Sequence, residues 1–238
     1  MKKNLNIAVI ILGIAAACVS CEGAILPIRG NGDLVTSERS VSSFEKIKVS
    51  GSAEVYFHGS EEYRAVVTVD SNLEEYTEVY TTGDTLNVKT GHGNYLFTKY
   101  AVDVYCPALT GVSISGSGQF SGNDTIITST FDVNVSGSGS IEGTIDCNNF
   151  SAGISGSGNI MITGTGKDSD IDISGSGNFS GNEFNAHNAS VRISGSGKAS
   201  ICVTNNLNIN ISGSGEVRYL GNPEIVSSVS GSGKIKKM

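Results

Sequence analysis

Residues 171–179 read Ile-Asp-Ile-Ser-Gly-Ser-Gly-Asn-Phe, and this stretch decides the fold because its central tetrapeptide returns throughout the second half of the chain. Ser-Gly-Ser-Gly occurs seven times, starting at Ser115, Ser136, Ser155, Ser174, Ser194, Ser212 and Ser230. Successive copies start 18 to 21 residues apart. Self-similarity at such a period is typical of solenoid proteins, in which each repeat stacks on the next.

The residues before each tetrapeptide alternate between apolar and polar. The position directly before it holds Ile114, Val135, Ile154, Ile173, Ile193, Ile211 and Val229, and the position before that is polar or small. Alternation of period two indicates a strand with one buried face, and the glycines supply the positive φ of a tight corner. We therefore predict an all-β fold, a parallel and right-handed β-helix with coils of about 20 residues. The alternative, a flexible Gly/Ser linker, has no reason to keep apolar columns in phase.

The first half of the chain contains one isolated copy of the pattern. Residues 47–55, Ile-Lys-Val-Ser-Gly-Ser-Ala-Glu-Val, match the repeat with Ala53 in place of the last glycine, and predict a first coil. We therefore expect one β-helix domain over residues 45–237, with its regular coils at residues 111–235.

Residues 56–110 lose the period but keep strand-like runs. The pattern predicts strands at residues 64–70, 85–89 and 100–106 and one or two helical turns at 73–80. We interpret this segment as a β-rich insertion that caps or extends the N-terminal end of the rod, because solenoids need atypical ends to close their exposed edges.

The N-terminus looks like a secretory signal. Lys2 and Lys3 precede an apolar run of 13 residues, Leu5 to Ala17, which is too short to span a bilayer. Small residues and two cysteines follow, as in a bacterial lipoprotein signal. We predict a signal peptide at residues 1–20.

Two cysteines compete for the lipid. We predict lipidation at Cys21, with Cys18 as the alternative, and a tether and lead-in strand over residues 21–44. The protein would then be exported and held in the cell envelope, at the outer membrane, by its lipid. A plain secretory signal with an incidental cysteine is the other interpretation.

Charge and cysteine content restrict the partners. Loss of the two N-terminal lysines changes the net charge from −7 to −9, which argues against a nucleic-acid partner. The basic tail, residues 234–237, is short and suits protection of the last coil's edge against stacking. Cys106, Cys147 and Cys202 form an odd set, and we interpret all three as small core or corner residues.

No pattern of catalytic or metal-binding residues emerges. His58, His92 and His187 are scattered, and none stands near a cysteine or carboxylate at metal-ligand spacing. The repeat turns carry no carboxylate, unlike those of calcium-binding β-rolls. Asp170 and Asp172 share an outward strand face, where a solvated role is the simplest. We predict no catalytic residue, no metal and no cofactor.

Aromatic residues mark the most promising surface. Seven of the eight tyrosines precede residue 106, and tyrosines on a β surface can stack on sugars or anchor a protein interface. A binding surface is predicted at Tyr56, Tyr63, Tyr95 and Tyr100. The alternative is that these side chains fill the core of the cap.

The N-terminal motifs resemble one family, the auto-transporter adhesins with a head GIN domain, common in Bacteroidetes. The resemblance covers about residues 30–237 and rests on Gly30-Asn31-Gly32, Arg39 to Phe44, Ile47 to Gly51, Val67 to Leu73, and Val102 to Leu109 ahead of the first tetrapeptide. It implies an exported β-helical domain, often lipid-anchored, and carries over no catalytic or binding residue.

Two functions follow from these patterns. The first is a non-enzymatic, lipid-anchored envelope protein that acts as an adhesin or scaffold. The alternative is a carbohydrate-binding or carbohydrate-active β-helix module. The partner could be a protein, a glycan or, in a homo-oligomer, another copy of the chain.

Overall fold

The computed structural model describes residues 26–238, of which nearly all belong to one β-solenoid. About 73% of the chain is strand, and the solenoid has about 7 turns with coils about 19 residues apart. The coil-to-coil pairing is parallel throughout the repeats. The predicted all-β, parallel solenoid is confirmed, and its handedness stays a prediction.

Nine strands and one short 3₁₀ helix, Glu74–Tyr76, build the N-terminal part. The strands are β1 (Ile28–Arg29), β2 (Leu34–Arg39), β3 (Lys46–Gly51), β4 (Glu54–Gly59), β5 (Arg64–Asp70), β6 (Thr77–Thr82), β7 (Thr85–Thr90), β8 (Tyr95–Leu96) and β9 (Tyr100–Cys106).

Ten further strands complete the rod. They are β10 (Gly111–Gly116), β11 (Gln119–Gly122), β12 (Ile126–Gly137), β13 (Ser140–Gly156), β14 (Asn159–Gly175), β15 (Asn178–Gly195), β16 (Lys198–Gly213), β17 (Glu216–Leu220), β18 (Glu224–Gly231) and β19 (Lys234–Lys237).

Each coil turns at its Ser-Gly-Ser-Gly corner. We call the strand segment before the corner the first side of the rod and the segment after it the second side. Residues of one column stack in register, so that Ser155 lies beside Ser174 and Ser174 beside Ser194. The return segments differ in length and contain register shifts, for example between Gly181 and Asn185, which explains the variable repeat spacing.

The first glycine of each corner is required by its backbone. Gly175 has φ 121°, and a Cβ there would lie 2.5 Å from the carbonyl oxygen of Gly156 in the coil below. Only glycine avoids both the strain and the clash. The apolar columns face inward, and Ile171, Ile173 and Phe179 are all buried, which confirms the phase predicted from the alternation.

The N-terminal part adds a coil below the one that comes first in the sequence. β7 pairs with β3 and β9 with β4, both parallel, while β10 and β11 stack on the other edges of β3 and β4. Beyond this coil, β5 and β2 continue the second side antiparallel, and β6 continues the first side. The insertion therefore extends the rod and then caps it, as predicted.

The predicted helical turns at residues 73–80 are mostly wrong. One 3₁₀ turn forms at Glu74–Tyr76, and β6 begins at Thr77. Antiparallel pairing of Val79 with Val88 buries the apolar side of this segment, so sheet packing overrides its local helical preference.

Asp70, at the end of β5, fastens the lead-in loop to the cap. Its buried carboxylate accepts hydrogen bonds from the N–H of Gly32 at 2.9 Å, the N–H of Thr98 at 2.8 Å and the Thr98 hydroxyl. Burial opposes ionisation, but these hydrogen bonds hold the pKa of Asp70 below its usual value. A Cβ at Gly30 would lie 2.2 Å from the Asp70 carboxylate, so the loop needs glycine there.

Candidate functional site

Near the N-terminal end, the second side carries a surface of aromatic and charged side chains. We define the aromatic patch as Tyr56, His58, Arg64, Asp103 and Tyr105. The parallel pairing of β4 with β9 puts Tyr56 beside Asp103 and His58 beside Tyr105, and antiparallel β5 puts Arg64 beside Tyr105. All five side chains alternate with buried neighbours and are half-buried on the outer face.

The patch residues hold each other in fixed positions. The His58 ring stacks on Tyr105 with centroids 4.8 Å apart and planes at 18°. The guanidinium of Arg64 lies 4.1 Å from the centroid of the same tyrosine, a cation–π distance. His58 Nε2 is 2.9 Å from Asp103 Oδ1. Side chains already ordered in this way lose little entropy when a partner binds.

The patch does not have the geometry of a nucleophilic site. A histidine beside a carboxylate is a frequent part of hydrolase sites, but the base must also reach a nucleophile. Within residues 26–238, Asp103 is the one side chain in hydrogen-bond distance of the His58 ring. Among these residues, the pair therefore lacks the nucleophile that acyl transfer requires.

A charged group extends the patch towards the corner. Lys99 Nζ donates to Glu54 Oε2 at 2.8 Å, and the Tyr56 hydroxyl donates to the same oxygen at 3.1 Å. The hydrogen bond from Lys99 lowers the pKa of Glu54, and the same bond raises the pKa of Lys99. Burial, followed by the Glu54 carboxylate, raises the pKa of Tyr56. The group is thus a neutralised cluster at neutral pH.

The four predicted tyrosines occupy different environments. Tyr56 belongs to the aromatic patch. Tyr63 is 38% exposed and meets Phe44 edge-on at 5.5 Å. Tyr95 stacks on Tyr76 at 4.7 Å, and its hydroxyl donates to the carbonyl of His92. Contact of these three with a ligand stays a prediction.

The prediction that Tyr100 lies on a binding surface is wrong. The side chain is 4% exposed and packs in the core of the cap against Phe97. Its hydroxyl donates to the carbonyl of Lys89, and burial raises its pKa. Tyr100 lies in phase with the inward residues Val102 and Val104, which explains its burial.

An open groove of about 640 Å³ runs along the first side of the rod. It crosses successive coils from Lys48 to Ser212, and its lining combines serine, asparagine and charged side chains with valine and isoleucine, such as Ile154 and Ile173. Gly153 leaves a gap in one wall, which the side-chain oxygen of Asn134 partly covers. A groove along the rod axis suits a long ligand rather than a compact one.

Arg192, in the wall of the groove, is paired with two aspartates. Arg192 donates to Asp172 Oδ1 at 2.6 Å and to Asp170 Oδ2 at 2.7 Å. The two aspartates raise the pKa of the arginine further. Asp170 and Asp172 face outward, as predicted. Both carboxylates form ion pairs with the same guanidinium, that of Arg192, and they do not have the arrangement of a catalytic acid and base.

A row of serines borders the groove at the corner. The first serine of each tetrapeptide stacks on the next from coil to coil, beginning with Ser50, and we call these residues the serine row: Ser50, Ser115, Ser136, Ser155, Ser174, Ser194, Ser212 and Ser230. Within the described residues none of their hydroxyls has a protein partner. The row therefore offers hydroxyls to solvent at the strand spacing, about 4.8 Å.

A family model matches residues 43–223, and its description is "Putative auto-transporter adhesin, head GIN domain". The chain belongs to this family. The match runs from β3 to β17 and leaves out β1 and β2 at one end and the last coil, β18 and β19, at the other. The resemblance seen in the sequence motifs is confirmed.

Solved structures share the fold of this head GIN domain. A putative adhesin from Bacteroides fragilis superimposes with a TM-score of 0.84 at 22% identity, covering 89% of this chain and 100% of that chain. A putative lipid binding protein from Parabacteroides distasonis gives 0.74 at 28% identity, covering 90% and 100%. A putative adhesin from Parabacteroides merdae gives 0.70 at 25% identity, covering 89% and 98%. No curated protein matches the chain.

The cysteines of the head GIN domain are free thiols. Cys106 is buried, while Cys147 and Cys202 are half-buried. Burial raises the pKa of Cys106 to about 12 and that of Cys147 to about 11, so these two thiols are poor nucleophiles at neutral pH. Among residues 26–238 there is no group of three or more His, Cys, Asp or Glu that could hold a metal ion.

The cysteines predicted to carry the lipid lie outside the described part of the chain. Cys18 and Cys21 both precede residue 26, where the described structure begins. From residue 26 onward, the fold contains no helix with the length and apolar character needed to cross a membrane.

Proposed function

We propose that this head GIN domain is the body of a non-enzymatic, lipid-anchored envelope protein that works as an adhesin or scaffold. One observation supports this most: the ion pairs of the described residues lie along flat sheet faces and do not converge on a reactive centre. Arg192 with its two aspartates and Lys99 with Glu54 are examples. The family description agrees with this role.

We place the adhesive contact at the aromatic patch. Binding energy at protein interfaces concentrates in tyrosine, tryptophan and arginine, and the patch contains two tyrosines and one arginine on a rigid sheet. The serine row offers hydrogen bonds, but serine is under-represented among the residues that dominate binding energy. Contact with Tyr56 and Tyr105 would therefore contribute most of the affinity.

A binding screen with paired variants tests this placement. Glycan arrays and pull-downs from host and bacterial surfaces identify a ligand, and Tyr105→Ala then lowers the affinity about tenfold or more. Tyr80→Ala removes a more exposed tyrosine from β6, outside the patch, and leaves affinity unchanged. Equal effects of the two variants would show that the patch is not the contact.

Anchoring through Cys21, with Cys18 as the alternative, has its own test. Replacing both cysteines releases the protein from membranes into the soluble fraction, and replacing the true acceptor alone has the same effect. A double variant that stays membrane-bound after a carbonate wash would contradict the lipid anchor and the outer-membrane location that rests on it.

The groove favours a second candidate, a carbohydrate-binding module. Its wall repeats once per coil, and a glycan chain lying along the rod could use the same hydroxyl contact at each coil. Binding is favoured over catalysis because both Asp170 and Asp172 are held in ion pairs with the guanidinium of Arg192. If Ser174→Trp abolishes glycan binding while Tyr105→Ala does not, the groove is the site and the aromatic patch is part of the cap.

A further inference from the structure

The last coil leaves part of the hydrophobic core uncovered. Ile225 is 37% exposed and Val229 is 43% exposed, although both occupy inward columns. Their partners in the preceding coil, Leu207 and Ile211, are 1% and 0% exposed. The difference arises because nothing among residues 26–238 stacks on the far edge of β18.

The backbone at this end is also unpaired. In the regular coils, the N–H groups of outward residues donate hydrogen bonds to the preceding coil, as Asp132 does to the Thr110 carbonyl. Because successive strand residues alternate, the N–H groups of inward residues point to the following coil. In β18 these are Ile225, Ser227 and Val229, whose N–H and C=O groups therefore point towards the open end.

The two strands at this end differ in charge. β19 is four residues long and carries three lysines, Lys234, Lys236 and Lys237, which is how natural sheets prevent edge pairing. β18 has eight residues, and Glu224 is its one charged residue. Stacking a further coil of the same kind would put lysines over lysines, whereas β18 alone remains free to pair.

We propose that the open edge of β18 docks with β18 of a second copy of this chain, antiparallel about a two-fold axis at Ser227. Opposed residues in an antiparallel pair point to the same side and exchange both hydrogen bonds. Only a two-fold axis at Ser227 pairs all three edge-facing residues with one another. It places Ile225 opposite Val229 of the second copy and Ser227 opposite Ser227. The two exposed core ends then cover each other.

The residue pattern of the edge supports this occupant, because the edge complements itself. The register places the exposed Ile225 against the exposed Val229 of the second copy and the one charged residue, Glu224, against the uncharged Ser230. A two-fold axis through the first side also places β19 over the return segment of the second copy. The three lysines of β19 therefore do not have to pair with another strand in the dimer. The chain's own N-terminus belongs to the other end, because β1 pairs with β8 in the cap. With the proposed cleavage at Cys21, five residues remain before residue 26 and span at most about 18 Å, less than the seven coils of the rod.

Cysteine crosslinking tests the register. The soluble chain from residue 26 serves, since solved relatives match this extent over 98 to 100% of their own chains, and its outcome does not depend on the proposed anchor. Ser227→Cys places two thiols at the axis with Cα atoms about 5.5 Å apart, within disulfide range, and mild oxidation gives a covalent dimer. Ser230→Cys, equally exposed, is the control, because its sulfurs lie about 20 Å apart. A crosslink at residue 230, or none at residue 227, overturns the register.

Sedimentation equilibrium tests the association itself. We expect the unmodified chain to form a concentration-dependent dimer. Ser227→Asp places two carboxylates opposite each other at the axis and gives monomer. Ser212→Asp, on the side of the rod, leaves the dimer intact. A chain that stays monomeric at its highest soluble concentration overturns the proposal, as does growth beyond the dimer.

Discussion

The regular coils and the N-terminal cap solve the same problem by different means. In the coils, backbone ladders repeat, the corners are glycine and serine, and many side-chain hydrogen bonds join residues stacked on neighbouring coils, such as Asn178 and Asn159. In the cap, strands run in both directions, and particular side chains such as Asp70 and Tyr100 fix where they meet. Stability in the coils therefore comes from repetition, whereas in the cap it depends on individual contacts.

The largest effect is expected from a charge in the coil core. Ile173 is 2% exposed, and Ile173→Asp puts an unpaired carboxylate among apolar side chains, which costs about 4 kcal/mol of the free energy of unfolding. Urea unfolding measures the loss. Asp172→Asn, one residue away on the outer face, changes stability by less than about 1 kcal/mol. Similar losses for both would mean that the inward phase is assigned incorrectly.

Glycine corners give the next largest effect and separate the two regions. Gly175→Ala combines φ 121° with a Cβ 2.5 Å from a backbone oxygen, and we expect a loss of about 3 kcal/mol. Gly83, in the β6–β7 turn of the cap, has φ 61° and open space around it, so Gly83→Ala costs about 1 kcal/mol. If the two variants unfold at the same urea concentration, close coil stacking is not what requires the corner glycine.

Asp70 tests the dependence of the cap on single contacts. Asp70→Asn replaces a charged acceptor with a neutral amide and costs about 2 kcal/mol at neutral pH. Because the folded pKa of Asp70 lies below 3.8, its contribution is present above pH 3.8 and is lost as the pH falls through the folded value. The difference between the wild type and the variant therefore shrinks in acid. Asp33→Asn, in the exposed part of the same loop, is the control, and an equal acid response there would contradict this assignment.

The smallest effect is expected at the charged cluster of the groove. The side chain of Arg192 is about half exposed, so Arg192→Gln lowers the free energy of unfolding by less than about 1 kcal/mol. The measured difference should fall further at high salt. A loss above about 2 kcal/mol would show that the coils, too, depend on particular side chains.

The sequence predicts the coils well because every coil carries the same local pattern. A glycine corner and a period-two alternation fix both the phase and the neighbour of Ile173 without any long-range information. The same alternation places Tyr105 outward and Tyr100 inward in β9, so the error at Tyr100 arose from grouping tyrosines by composition rather than by phase.

Other parts of the site needed the register between distant strands. His58 and Asp103 are 45 residues apart and meet only because β4 lies on β9. The sequence repeat does not predict that residues 85–106 form the coil below β3 and β4, because these residues lack the Ser-Gly-Ser-Gly tetrapeptide. Register across such a separation is set by packing of the whole cap, which local patterns do not encode.

The position of β3 and β4 between a coil from residues 85–106 and a coil from residues 111–122 has a consequence for folding. In the repeats, each strand meets its partner about 19 residues later in the chain, so loop closure is inexpensive and pairing can spread from any coil. β4 must wait for β9, with Glu54 paired to Ala101, and contacts across such separations form slowly. We expect the repeats to nucleate folding and the cap to close last, although ribosomes make the cap first.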